Sequence, residues 1–179
     1  MKKNILQLIG SFHQGGSERQ AVQLTRLLRE DETHNIFLAV MNDEGVLRSE
    51  VEKLGFTEIP EFKLTSFYDA NFLKQLKRCV RFLRENRIEI VHTHDFYTNV
   101  FGMLAAQLAS VPLAVASKRE TGGMRSRMQR RVEKFAFKQA NAIVANSEAV
   151  KEYLISEGVA GAKIRVVYNG LDTERLRPK

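Results

Sequence analysis

The 179-residue chain is 44% hydrophobic and 27% charged, a globular mixture that excludes a disordered polar tract and is long enough for one domain with a substantial core. Its formal charge of +7 favours anionic partners without naming one. Too few apolar residues precede Gly10 for a secretory leader and no apolar run approaches the ~18 residues of a membrane span, so the expectation is a cytoplasmic chain; the single cysteine, Cys79, agrees with a reducing compartment.

In chain order, apolar runs at Ile5–Ile9, Ile36–Met41, Ile88–His92, Leu113–Ser117, Ala142–Ala145 and Ile164–Tyr168 predict strands, several of them continuous enough to be buried on both faces. Between them, helical periodicity spans Ser17–Arg29, Val46–Lys53, Asn71–Asn86, Thr98–Ala109, Met128–Gln139 and Glu148–Glu157, and a further short strand is expected at Thr57–Ile59, before Pro60. The β-α alternation predicts an α/β fold, a Rossmann-like doubly wound parallel sheet. No repeat or interior linker divides residues 1–170, whereas the polar turn chemistry of 171–179 reads as the start of a linker.

The first strand-to-helix turn carries Gly15 and Gly16, with Ser17 as the expected N-cap and Gln20 completing a capping box. At the carboxyl edge of a parallel sheet, a helix N-terminus behind two missing side chains suits a phosphate; a simple hinge is the competing reading. The spacing is neither G-x-G-x-x-G nor a P-loop, which counts against nicotinamide and simple NTPase chemistry.

At the other strand ends stand His94 and Asp95, Arg119 and Glu120, Asn146 and Ser147, and Asn169 and Gly170. His92 and His94 are expected on opposite faces of their strand, unable to share a metal, and His13, His34 and Cys79 add no ligand spacing, so no metal is implied. Arg119 could pair with a phosphate and Glu120 orient a hydroxyl, or the two could form a surface pair. Ser147 suits an N-cap, and Asn169-Gly170 a turn.

The segment 71–86 is expected to set Phe72, Leu73, Leu76, Val80 and Leu83 on one side and Lys74, Lys77, Arg78, Arg81 and Arg84 on the other. That cationic face, joined by a second basic patch in "MRSRMQRR", reads either as a solvated surface or as a docking face for an anionic membrane. Nucleic acid is the weaker partner, because no aromatics interleave the basic residues.

Taken together, Gly15-Gly16-Ser17-Glu18-Arg19, "IVHTHD", "SKRETGG", "KQANAIVANSEAVKEYL" and "KIRVVYNGLDTERLRP" resemble the N-terminal domain of retaining GT-B glycosyltransferases of family four. The resemblance implies two Rossmann-like domains across a cleft, a nucleotide-sugar donor held mainly by a C-terminal domain absent from this chain, and an acceptor held mainly by the N-terminal one. It implies transfer with retention and without a metal or any cofactor beyond the donor co-substrate, to a sugar, a lipid-linked acceptor or a cell-envelope glycan. The isolated domain would be inactive. Gly15, Gly16 and Ser17 fall on the family's donor-phosphate loop, His94 on a position facing the acceptor, Arg119 and Glu120 on a variable motif, and Asn146, Asn169 and Gly170 at the interdomain side. No nucleophile is assigned. Two other readings stand beside this one: a non-catalytic Rossmann-like module for a phosphorylated ligand or anionic surface, and one half of a GT-B sugar epimerase.

Overall fold

Runs of β-branched and leucine residues, too apolar to leave either face in water, assemble into six strands that all run parallel. The computed structural model describes residues 2–123 and 125–170, so Met124 in the basic stretch and the expected linker at 171–179 lie outside the described residues. The strands are β1 (Asn4–Ser11), β2 (Asn35–Asn42), β3 (Ile90–Thr93), β4 (Leu113–Lys118), β5 (Ala142–Ala145) and β6 (Ile164–Val166), in the sheet order β2-β1-β3-β4-β5-β6. Six helices alternate with them: α1 (Gly16–Glu30), α2 (Arg48–Lys53), α3 (Ala70–Glu85), α4 (Phe96–Ala109), α5 (Arg127–Gln139) and α6 (Glu148–Ser156).

Alternation along β1 and β2 divides the core. Ile9, Leu38 and Val40 pack with Ala21 and Val22 of α1 and Val51 of α2, whereas Leu6, Leu8, Ala39 and Met41 join the larger cluster containing α3, α4 and α5. Helix α4 is flanked by α3 and α5 and is apolar nearly all round, with Phe101, Met103, Ala105 and Ala106 buried, as its enclosed position requires. Its backbone comes close to the sheet at Gly102, where a Cβ would lie 2.5 Å from Thr93 Cγ2 and 2.9 Å from Leu8 Cδ2.

Side-chain caps start four of the helices. Asp69 accepts from the Phe72 amide, Asp95 from Tyr97 and Thr98, Ser126 from Gln129, and Ser147 from Val150, the last as expected. Helix α1 is different: it begins at Gly16, its N-cap is Gly15, and no side chain caps it. Ser17 therefore does not cap, because it already lies inside the first turn, with helical backbone, rather than at the extended position before it. The expected strand at Thr57–Ile59 is also absent. The chain touches the sheet edge only at a bridge between Val40 and Glu61, made by the Val40 amide to the Pro60 carbonyl and the Phe62 amide to Val40, where Phe62 enters the core. On α3 the buried stripe is Gln75, Leu76, Cys79 and Leu83; Leu73 lies off its centre and is 58% exposed rather than buried. Among the described residues no helix is long and apolar enough to cross a membrane.

Strand order reverses between β1 and β3, since successive strands are added to one side of β1 and then to the other. That switch point opens a crevice at the carboxyl ends of the two strands. The close approach at Gly102 makes α4 sensitive to a single methyl group. Gly102→Ala is expected to lower unfolding free energy by about 1–3 kcal/mol in urea melts, because the buried, hydrogen-bonded Thr93 cannot move aside.

Candidate functional site at the strand switch point

A cleft of about 770 Å³ occupies the crevice. Its walls are the end of β1 (Gly10, Ser11), the first turn of α1 (Gly16, Ser17, Glu18), the β3–α4 turn (His94 to Tyr97), the end of β4 (Ser117 to Glu120), Asn146, Asn169, and the segment 64–67. The expected residues Gly16, Ser17, His94, Asp95, Arg119, Glu120, Asn146 and Asn169 thus share one cavity. Gly15 adjoins it as the cap of α1, and Gly170 accepts a hydrogen bond from Gln20 of α1 at 2.9 Å. The cationic residues of α3 do not line it.

Each glycine has its own geometry. A Cβ on Gly10 would lie 2.6 Å from Asp95 Oδ2, and one on Gly15 would collide with the Glu18 carboxylate, which folds back over the start of α1. A Cβ on Gly16 would meet nothing within 4 Å. The first turn of α1 therefore presents backbone to the cleft, with the partial positive charge of a helix N-terminus behind it.

His94 is buried and both ring nitrogens are engaged. Arg119 Nη2 lies 3.3 Å from Nδ1, and Gln7 Oε1 lies 2.7 Å from Nε2. A guanidinium only donates, so Nδ1 accepts and Nε2 carries the proton that it gives to Gln7. Burial, the His92 ring and the Arg119 charge hold the His94 pKa well below its ordinary value, so the ring is neutral. His94 is fully committed in this arrangement; it positions Arg119 rather than standing free for an acceptor.

His92 does not point to the opposite face. Its ring lies 4.3 Å from that of His94, since side chains two apart on a strand share a face. Its Nε2 meets Ser117 Oγ at 2.8 Å, and burial, aided by Arg119, pulls its pKa down to about 4. Among the described residues no group of three or more histidine, cysteine or acidic side chains could hold a metal.

Arg119 and Glu120 do not pair with each other. Arg119 Nη1 reaches Asn169 Oδ1 at 3.0 Å, while its backbone carbonyl accepts from Asn146 Nδ2 at 3.2 Å. Two buried atoms here, Arg119 Nε and Asn146 Oδ1, have no hydrogen-bond partner among the described residues. A hydroxyl could accept from the first and donate to the second. Glu120 is 54% exposed at its side chain and pairs with Arg125, its carboxylate 3.7 Å from Lys118 Nζ.

Asp95 has a structural task that the sequence reading passed over. Its Oδ1 accepts the Tyr97 and Thr98 amides, Thr98 Oγ1 completes a capping box, and desolvation raises its pKa.

Sequence reasoning missed an ionic cluster beside these residues. Buried Lys118 donates to both oxygens of buried Glu133 at 2.8 and 3.0 Å, and Arg125 donates to the same carboxylate at 2.8 Å while lying 4.4 Å over the Phe96 ring. The available signal was a lysine closing an otherwise apolar strand run. Glu18 was missed as well: its carboxylate acts on the Asp95 and Arg119 ionisations across the cleft.

Aromatic rings also line the cleft. Phe67 and Tyr97 stack with an interplanar angle of 14° and centroids 5.9 Å apart, and Phe96 meets Tyr97 edge-on.

A six-stranded parallel sheet with a glycine-opened helix N-terminus at its switch point defines a Rossmann-like domain. Residues 14–175 match the family described as Glycosyltransferase Family 4, and the chain belongs to that family. It is 25% identical over 185 residues to EpsF of Bacillus subtilis (strain 168), which bears a glycosyltransferase name, covering 99% of this chain and 47% of that protein. It is 31% identical over 116 residues to the UDP-Gal:alpha-D-GlcNAc-diphosphoundecaprenol alpha-1,3-galactosyltransferase of Escherichia coli, covering 59% of this chain and 29% of the other. The crystal structure of Anabaena Alr3699/HepE in complex with UDP and glucose superposes with a TM-score of 0.80 at 20% identity, over 96% of this chain and 46% of that one, a likeness of fold. The chain spans about half the length of the relatives it matches along most of its own length.

The histidine pair makes stability pH-dependent. Both pKa values are depressed on folding, so the unfolded chain takes up protons first and stability falls as pH drops from about 7 through the ordinary histidine value toward about 4, by at most about 1.4 kcal/mol per pH unit for each ring. Asp95, with a raised pKa, acts in the opposite sense, nearer the carboxylate range. The drop in urea midpoint between pH 7 and pH 5 is expected to shrink in His92→Gln.

Proposed function

We propose that this chain is the acceptor-side half of a retaining, metal-independent glycosyltransferase whose nucleotide-sugar donor is held chiefly by a second domain following the described residues. The observation that carries the reading is the first turn of α1, opened by Gly16 onto the switch-point cleft of a Family 4 chain. Free amides of that turn face the charge that develops on a departing nucleoside diphosphate, where fixed dipoles lower a barrier more effectively than water, which must reorganise. Arg119, held by His94 and Asn169, supplies a fixed positive charge in the same cavity, and its unpartnered Nε with Asn146 Oδ1 suits the hydroxyls of a saccharide. The printed names of similar proteins agree in kind: one structure contains UDP and glucose, and one relative is named for a UDP-galactose donor and a diphosphoundecaprenol-linked acceptor. On this reading the chain alone does not turn over.

Gly16→Ala tests the reading. The domain itself has room for the methyl group, so melting should change by no more than about 0.5 kcal/mol, while kcat/KM for sugar transfer by the full-length protein should fall tenfold or more. Full turnover in the folded variant would reduce the glycine turn to a hinge.

The acceptor is proposed to be lipid-linked, presented at an anionic membrane by α3. Lys74, Lys77 and Arg81 are exposed with no charged partner among the described residues, whereas Arg78 is held by Gln75 and Arg84 by the Leu108 carbonyl. Each free cation near an anionic bilayer contributes about 1 kcal/mol. Sedimentation with anionic liposomes should weaken by at least tenfold when Lys74, Lys77 and Arg81 are all changed to Glu; binding that ignores either this change or the lipid charge excludes the face.

A further inference from the structure

The cleft is also lined by Leu64, Phe67, Phe96 and Tyr97, with Thr65 and Ser66 among them and Arg125 over the Phe96 ring, and their rings are ordered against one another. Tyr97 leaves 56% of its surface exposed although it lies in the first turn of a helix whose other aromatic residues, Phe96 and Phe101, are buried. Immediately beyond Phe67 the chain presents Tyr68, 85% exposed, and then Leu73, 58% exposed, before the free cations Lys74 and Lys77. Large apolar side chains left in water at Tyr97 and at Tyr68 and Leu73, the latter two in the short stretch that follows the cleft-lining Phe67, call for an apolar occupant.

We propose that the Phe67–Tyr97 stack is a binding subsite for the hydrocarbon chain of an amphiphilic acceptor, guiding that chain out of the cleft past Tyr68 and Leu73. This rests on the glycosyltransferase reading and deepens it by assigning the lipid portion of the substrate to named residues. The polar end takes the hydroxylated head, between the first turn of α1, Arg119 and Asn146. The stacked rings take the first segments of the chain, and the cationic face of α3 lies where the chain would enter a bilayer. The geometry differs from a platform for a sugar ring: Phe67 covers one face of Tyr97 and packs in turn against Phe72.

Titration calorimetry of the full-length protein with farnesyl phosphate and with methyl phosphate, below the micellar concentration of the former, measures the contribution of the chain. Farnesyl phosphate is expected to bind at one site at least tenfold more tightly. Tyr97→Ala and Phe67→Ala, checked for folding by far-UV circular dichroism, should each remove fivefold or more of that difference, whereas Tyr97→Phe should keep it. Changing Lys77 and Arg81 to Glu should leave it intact, which separates the subsite from adsorption to the basic face. Equal affinity for the two phosphates, a farnesyl preference indifferent to Tyr97→Ala and Phe67→Ala, or an equal loss for both ligands would overturn the proposal. A protein that transfers sugar but shows no chain-dependent gain keeps the glycosyltransferase reading and loses this one; a chain-dependent gain without transfer does the reverse.

Discussion

One half-buried carboxylate ties the cleft to the fold. Asp95 caps α4 through two backbone amides and the Thr98 hydroxyl, and its Oδ2 fills the space where any side chain on residue 10 would go. The end of β1 and the start of α4 are thereby held together at the point where strand order reverses. Because α4 is also pressed onto Thr93 and Leu8 at Gly102, the β3–α4 turn has little freedom, and His94 is delivered to the cleft floor with its ring already committed.

Charge in the cleft is organised around that floor. Neutral His94 accepts from Arg119, which keeps the guanidinium in place without cancelling its charge, and Glu18 at the start of α1 partly offsets it from across the cavity. Lys118 and Glu133 form a buried pair a few residues away, further satisfied by Arg125. Removing one partner of such a pair typically costs about 3–5 kcal/mol, because the other is left charged and dry. The cluster anchors the β4 end to α5 and so holds the wall that carries Arg119. A fixed cation, a helix N-terminus, unpartnered hydrogen-bonding atoms and stacked rings thus line one cavity.

The strands were legible because each is a short, nearly continuous apolar run, and the parallel sheet followed from their alternation with helices. The ends were less legible. Ser17 has the residue type of a cap, but the cap falls two residues earlier, at Gly15. Pairing beside Pro60 shifted to Glu61, where Phe62 had a core to enter. His92 and His94, expected on opposite faces, share one because side chains along a strand repeat every two residues. For the Lys118–Glu133 pair, 15 residues apart, the lysine closing an apolar strand was the one local signal, and nothing along the chain marked Glu133 as its buried partner.

What the sequence alone determined is the α/β class, the glycine turn before the first helix, the amphipathic cationic helix, and the family resemblance, because these are periodicities and motifs written locally along the chain. Only the tertiary structure decided that His94 is locked to Gln7 and Arg119 and that Phe67 stacks on Tyr97 at the cleft. Those features join residues 25 to 87 positions apart, or depend on which side of a helix faces the sheet, and no local pattern encodes such meetings.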